Sequence, residues 1–314
     1  MHILVTGGCG YIGTNLTNRL LNDGYQVTVV DLMWFGNHLK NHENLIVIKA
    51  DIREIDQVPM KGIDAIIHLA NIANDPTGDL NPKLTWEVNV LASMLLIEKA
   101  IKNGVKQFIY ASSGSVYGVK DEPEVTEDLS LLPISDYNKT KMISERVLLS
   151  YHDKIILQII RPATVCGYSP RMRLDLSVSM LTMQALTTGK ITVFGGKQTR
   201  PNIHMNDMIG VYLHFLKLGE KATGIYNAGF ENITILELAN RIKKHITTNV
   251  FVEESNDPRS YRQNSDKLIS TNFNPRFTID DAIKEIIELY NEKNLIDNDC
   301  YYNIKQMKKI EGII

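Results

Sequence analysis

The stretch Leu4-Val5-Thr6-Gly7-Gly8-Cys9-Gly10-Tyr11-Ile12-Gly13 constrains this chain more than any other. An apolar run of strand character enters a turn with glycines at 7, 10 and 13, and a helical pattern over 12–21 follows. In such a unit the first glycine permits the tight turn, the second lets a pyrophosphate approach the backbone, and the third lets helix and strand pack closely. The helix then offers free N–H groups and the positive end of its dipole to an anion. Gly7, Gly10, Tyr11, Ile12 and Gly13 are therefore candidates to hold the phosphates of a dinucleotide. Asp31 ends the next strand, 18 residues beyond Gly13. A carboxylate there accepts both ribose hydroxyls and repels a 2′-phosphate, and Leu32 and Met33 supply no cation, which favours NAD over NADP. Asp51-Ile52, after a third strand, either holds the adenine edge or caps a short helix.

The first half continues this alternation. Strand patterns at 3–6, 26–30, 45–48, 65–69, 108–112 and 155–160 are separated by helical patterns at 12–21, 86–102 and 139–151. Several strands are nearly all apolar, as burial on both faces of a parallel sheet requires. The alternation predicts right-handed βαβ units and an α/β, doubly wound parallel (Rossmann) sheet. After about Pro162 the rhythm changes. Helical patterns at 174–188, 207–218, 235–245 and 279–294 are interspersed with short strands at 191–194, 225–228 and 250–252. We read residues 1–165 as a dinucleotide-binding domain and 166–314 as a smaller α/β substrate region, with some chain crossing back to the sheet. Residues 297–314 follow no recognisable pattern.

Composition narrows the function classes. With 34 Lys and Arg against 36 Asp and Glu, the net charge of −2 gives no field for nucleic acid or an anionic membrane. No apolar run reaches the roughly 18 residues of a membrane span. The three cysteines, 9, 166 and 300, form no CxxC pair, so neither a disulfide framework nor a metal site is suggested. A cytoplasmic protein is expected.

Tyr137 and Lys141 are four residues apart at the start of a helical segment and share one face. A lysine ammonium beside a phenol favours the phenolate, and an oxidised nicotinamide would add to this, bringing the phenol toward working pH as a general base. A preceding strand ends in Ser112-Ser113-Gly114-Ser115, placing hydroxyls at the edge where open α/β sheets bind ligands.

With these pieces together, the sequence resembles the extended short-chain dehydrogenase/reductase family, specifically its NAD-dependent nucleotide-sugar epimerases and dehydratases. TGGCGYIG, Asp31, Asp51-Ile52, His68-Leu69-Ala70, Asn89-Val90, SSGSVYG, YNKTK, Arg161-Pro162 and the segment from Arg200 to Asp207 carry the resemblance, over Ile3 to about Ile287. It implies Tyr137 as base, Lys141 on the nicotinamide ribose and tuning Tyr137, and Ser113 on the reacting hydroxyl. It also implies Leu69, Ala70 and Asn89 along the cofactor, Arg200 on the nucleotide diphosphate, and a homodimer. His68, His204 and Cys166 are read as core or supporting positions.

The reaction implied is oxidation of a sugar hydroxyl at C4, with three fates for the ketone: epimerisation, dehydration or release. Relatives that dehydrate carry an Asp-Glu pair where this chain has Gly114 and Ser115, so dehydration is demoted. Thr164 stands where many relatives place Asn on the diphosphate. Arg171 and Arg173, in Ser-Pro-Arg-Met-Arg-Leu-Asp175, either clamp a phosphate or form a solvated turn. The same element resembles oxidoreductases acting at C4 of GDP-manno-heptose, which keeps a dehydrogenase/reductase as the rival to a 4-epimerase. Arg259 reaches either the diphosphate or a structural ion pair. Asn74, before Asp75-Pro76, faces the sugar or simply turns the chain. A dinucleotide-sensing regulator without catalysis is the reading of another class; it needs none of Ser113, Tyr137 and Lys141.

Overall fold

The computed structural model describes residues 1–254 and 260–310. The chain opens with β1 (His2–Thr6), α1 (Tyr11–Asn22), β2 (Gln26–Asp31), β3 (Leu45–Lys49) and β4 (Ala65–His68). Short helices α2 (Asp75–Gly78) and α3 (Pro82–Trp86) lead to α4 (Ala92–Lys102), β5 (Gln107–Ala111), α5 (Asp136–Leu149) and β6 (Ile156–Pro162). The second half runs β7 (Thr164–Cys166), α6 (Ser177–Thr188), β8 (Lys190–Phe194), β9 (Thr199–His204), α7 (Met205–Leu218), β10 (Gly224–Ala228), β11 (Glu231–Thr234), α8 (Ile235–His245) and β12 (Asn249–Glu253). It closes with α9 (Asp266–Ile269), α10 (Ile279–Asn291) and α11 (Asn303–Met307).

Seven parallel strands form the main sheet in the order β10-β6-β5-β4-β1-β2-β3. The order reverses between β1 and β4, which leaves a crevice at their C-terminal ends, where such sheets bind ligands. Alternation along the strands sends Ile3, Val5, Val27, Val29 and Ile67 into a core with α1 and α7. Leu4, Val30, Ile66, Phe108 and Tyr110 enter the core under α4 on the opposite face. Burial on both faces explains why these strands read as unbroken apolar runs.

The second half contributes to this sheet: β10 is its outermost strand beside β6, and α7 packs against α1. The rest of it has its own core of α6, α8, α10 and β8 residues, including Leu181, Ile191, Leu238 and Ile283. Among the described residues, no helix is long and apolar enough to cross a membrane.

The single helix expected over 86–102 is instead α3, a π-helical turn over Glu87–Leu91, and α4. The helix expected from Leu174 begins at Ser177. Three strands escaped the pattern: β7 has three residues, β9 contains Pro201, and β11 has four. Each is too short or too interrupted to show a period of two.

Candidate active site

A cleft of about 650 Å³ runs along the C-terminal edge of the sheet from Asp31, Asp51 and Ile52 past the glycine turn to Ser113, Tyr137 and Lys141, and on to Thr164 and Arg200. At its start the turn is dictated sterically. Gly7 has φ +74, and a Cβ there would lie 2.6 Å from the Ala70 nitrogen; one on Gly13 would lie 2.1 Å from the Gly7 oxygen. Gly10 caps α1 without a side-chain hydrogen bond, so the first-turn amides of Tyr11, Ile12 and Gly13 face the cleft unfilled. The Tyr11 hydroxyl itself is used elsewhere, donating to the Gly167 oxygen at 2.6 Å.

Asp31 accepts from the Cys9 and Met33 amides at 2.9 and 2.6 Å. Burial raises its pKa, while those amides and Arg171 hold it down. The Asp51 carboxylate is gripped by the Arg53 guanidinium at 2.7 Å and caps the Arg53 amide at 2.9 Å, so local capping accounts for much of its bonding although it lines the cleft.

Helix α5 presents the next groups. Ser135 caps it, accepting from the Asn138 amide at 3.2 Å. One face then carries Tyr137 and Lys141 beneath the end of β5. Lys141 Nζ donates to the Ala111 oxygen at 2.6 Å and lies 5.9 Å from the Tyr137 ring centroid. Burial drops the lysine to about 7, against which Glu145 acts. Burial likewise pushes the Tyr137 phenol up to about 12, opposed first by its hydrogen bond to Ser113. The expectation of a phenol near working pH included an oxidised nicotinamide, and this value is that of the protein without it. Desolvation outweighs Ser113 and Arg173 in the protein alone, so a further positive charge above the ring is needed to make the phenolate accessible.

Beneath this cluster sits a buried ion pair. Arg161 and Glu145, 2% and 1% exposed, meet at 2.7 Å, and Arg161 also reaches the Tyr117 hydroxyl at 2.7 Å. Glu145 accepts from the Ser112 hydroxyl as well, so the pair fixes the strand end beside Ser113 relative to α5. His68 is fully buried between Thr6 and Ser93, at 2.6 and 2.8 Å, with its pKa lowered to about 3 by burial and Lys141. His204 caps α7, accepting from the Asn206 amide at 3.1 Å. Both are supporting positions. Burial raises the Cys166 thiol far above its usual range, which suits a packed side chain.

Asn89 stands apart from its expected place, and the alternatives left open for Asn74 and Arg171 narrow. Asn89, expected along the cofactor, is fully buried inside the π turn and does not line the cleft. Its carboxamide holds the Ile72 amide at 2.8 Å and Thr140 at 2.9 Å, so it positions the loop after β4. Asn74 lines the cleft, but its carboxamide oxygen accepts from the Thr77 amide and hydroxyl at 3.0 and 2.5 Å, which makes it a helix cap with a left-handed backbone at φ +76. Arg171 is no solvated turn and stands at the Asp31 end of the cleft, 3.9 Å over the Phe35 ring, 3% exposed. Its acceptors are the neutral oxygens of Met172 and Asn303, and its Nε has none. Arg173 is paired with Asp175 at 2.9 Å. Leu69, Ala70, Thr164 and Arg200 line the cleft as expected; Arg259 lies outside the described residues.

Trp34, Phe35, Asn303 and Met307 line the cleft without any motif that marks them, and Tyr261 lines it too. The Tyr261 hydroxyl would lie 3.1 Å from a Cβ at Gly114, as would Gln263 Oε1. A side chain at Gly114 would therefore press on the ends of Tyr261 and Gln263, which would have to give by a few tenths of an ångström. The cradle that a methyl would fill, the uncapped helix start, Asp31 and the incomplete Arg171 together suit a dinucleotide with an anionic centre and a ribose at one end.

Comparison with known proteins agrees. A model of the NAD dependent epimerase/dehydratase family matches residues 3–229. The chain is 27% identical over 310 residues to UDP-glucuronic acid decarboxylase 1 of Danio rerio, covering 93% of this chain and 73% of that protein. It is 31% identical over 223 residues to the uncharacterized UDP-glucose epimerase YtcB of Bacillus subtilis, covering 67% and 70%. Among solved structures, UDP-glucuronic acid 4-epimerase from Bacillus cereus in complex with UDP-glucuronic acid and NAD superimposes with a TM-score of 0.78 at 27% identity, covering 92% of this chain and all of that one. A match over most of the chain, on a sheet whose edge carries this glycine turn and this tyrosine, makes the protein an enzyme of the NAD dependent epimerase/dehydratase family, with NAD as its cofactor.

Proposed function

We propose that the enzyme interconverts epimers at C4 of a nucleotide-diphosphate sugar. Residues 1–165 mainly carry NAD: the amides of Tyr11–Gly13 meet its pyrophosphate, Asp31 its ribose and Asp51-Ile52 its adenine edge, with Leu69 and Ala70 along its length. When bound, NAD supplies a hydride acceptor and a fixed positive charge. Tyr137 then takes the proton of the C4 hydroxyl and later returns it. Ser113 holds that hydroxyl, and Lys141, anchored on the Ala111 oxygen, contacts the nicotinamide ribose and favours the phenolate. Thr164, at the end of that domain, and Arg173 and Arg200, beyond it, bind the nucleotide diphosphate.

The observation that carries this reading is the Ser113–Tyr137–Lys141 cluster followed by Gly114 and Ser115, neither of which is an acid. A Cβ on Gly114 would meet Gln263 and Tyr261 at 3.1 Å, and Ser115 is tied to Ser113 at 2.7 Å and to Asn138. Without an acid and a carboxylate base beside Ser113, elimination of water lacks its proton donor, whereas epimerisation needs only the tyrosine. The C4 oxidoreductase reading drew on the 169–175 element, and Arg171 there faces the adenosine end.

The UDP-sugars named for the two epimerases above are the first to test. The purified enzyme is incubated singly with UDP-, GDP-, dTDP- and CDP-sugars and the products resolved by NMR. A 4-epimer without net reduction of the cofactor is expected. A released ketone with stoichiometric cofactor reduction would assign a dehydrogenase, and bound NAD with no turnover would assign a regulator. Exposed Trp86 and Leu91 near α5 support a homodimer through the α4–α5 face. The free cysteines fit the reducing cytoplasm.

A further inference from the structure

Residues 297–310 show no pattern in sequence, yet they close over the cleft. Gln306 Nε2 donates to the Trp34 oxygen at 2.9 Å, which fastens α11 to the loop after β2. On the other side, the Leu174 amide donates to the Tyr301 oxygen at 2.9 Å, the Asn303 amide to Asp175 at 3.1 Å, and Arg171 to Asn303 Oδ1 at 2.5 Å. Helix α11 also packs on α2, beyond the glycine turn. Met307 and Asn303 are 2% and 4% exposed, and both line the cleft with Asp31 and Phe35. The segment is braced within itself, since Lys305 and Lys309 each meet Asp299 at 3.0 Å and Lys305 lies 4.1 Å over the Tyr302 ring.

We infer that this C-terminal strap belongs to the NAD site: Asn303 and Met307 cover the adenosine half, and the strap must lift before the cofactor enters or leaves. A fraying tail would have exposed side chains and few long-range bonds. This one ties the loop after β2 to the 171–175 segment and buries its apolar anchor between them. Arg171, which the strap holds through Asn303, keeps an Nε without an acceptor, so the group under the strap is complete only when the cleft holds an acceptor such as a phosphate. NAD held in this way stays through many turnovers. That suits a reaction in which the cofactor ends each cycle in the redox state in which it began, and it opposes one that exchanges the cofactor every cycle. The inference rests on the assignment of this cleft to NAD and not on the identity of the sugar.

The test uses the full-length enzyme purified with its nucleotide. NAD content is measured by chromatography after acid release, and the off-rate by chase with fluorescent etheno-NAD. The Gln306→Ala/Met307→Ala variant should lose NAD at least tenfold faster than the parent and arrive with lower occupancy. Equal off-rates in a variant with a parent-like unfolding transition would overturn the strap. Should the variant fail to fold, hydrogen exchange on the parent decides: amides of residues 301–307 should exchange at least tenfold slower with NAD than in the stripped protein, and unchanged exchange would overturn the inference. Failure of every nucleotide sugar to react would defeat the epimerase reading but leave both measurements standing.

Discussion

Lys141→Met should make the cofactor-free protein more stable near neutral pH while disabling it. The unfolded lysine keeps its proton to about pH 10.5, and the folded one, stripped of water, only to about 7. Between those values the unfolded chain binds more protons, so stability rises with pH; the penalty is complete below pH 7 and absent above 10.5. At 1.36 kcal/mol for each pH unit it amounts to about 5 kcal/mol. Methionine removes it, but deprives the Ala111 oxygen of its donor at 2.6 Å, a loss of roughly 1–3 kcal/mol. The net gain at pH 6–7 is about 2–4 kcal/mol, or about 3–6 °C in Tm for a chain of this length. The difference should shrink as pH rises and reverse between about pH 8 and 10, where the remaining penalty falls below the lost hydrogen bond. Calorimetry of both proteins, freed of NAD, across pH 6–10 is the assay. A variant less stable at pH 6–7, or a difference that does not change with pH, would refute a lysine held against its solvation.

Other substitutions separate the parts of the site. Tyr137→Phe should bind NAD as the parent does and lose turnover by roughly 10²–10⁴-fold, as removal of a general base does; steady-state kinetics beside a fluorescence titration checks both halves. Gly13→Ala pushes a methyl to 2.1 Å from the Gly7 oxygen, so it should lower NAD affinity at least tenfold and stability by roughly 1–3 kcal/mol, read by titration and by Tm. Glu145→Gln leaves Arg161 buried with no charged partner and should cost roughly 3–5 kcal/mol in urea unfolding; near-parent stability would show that water or another group neutralises Arg161.

Local chemistry made the glycine turn, Asp31 and the Tyr137–Lys141 face legible, because each is set by a few adjacent residues. The main sheet followed from strands buried on both faces, whose apolar runs need no partner to be recognised. Asn89 misled because its residue type and position suit a ligand, while its carboxamide is used 17 residues away, at Ile72. Its π turn has no sequence signature, so the helix around it read as continuous. Arg171 could not be placed because its neighbours, Phe35 and Asn303, come from opposite ends of the chain, the latter 132 residues away. The strap depends on single polar atoms, such as Gln306 on the Trp34 oxygen across 272 residues, and such pairings leave no periodicity to read. The burial that raises the Tyr137 phenol is likewise invisible in the sequence, which shows only the ammonium four residues on.

A nucleotide sugar deuterated at C4 tests the central claim most directly. Incubated in ordinary water with the enzyme and its bound NAD, the sugar accepted in the panel should return as a mixture of 4-epimers that retain deuterium at C4, with none appearing in solvent and none of the mixture forming with Tyr137→Phe. Loss of the label to water, or unchanged epimer formation by that variant, would contradict a hydride removed and returned within one closed cleft over Tyr137.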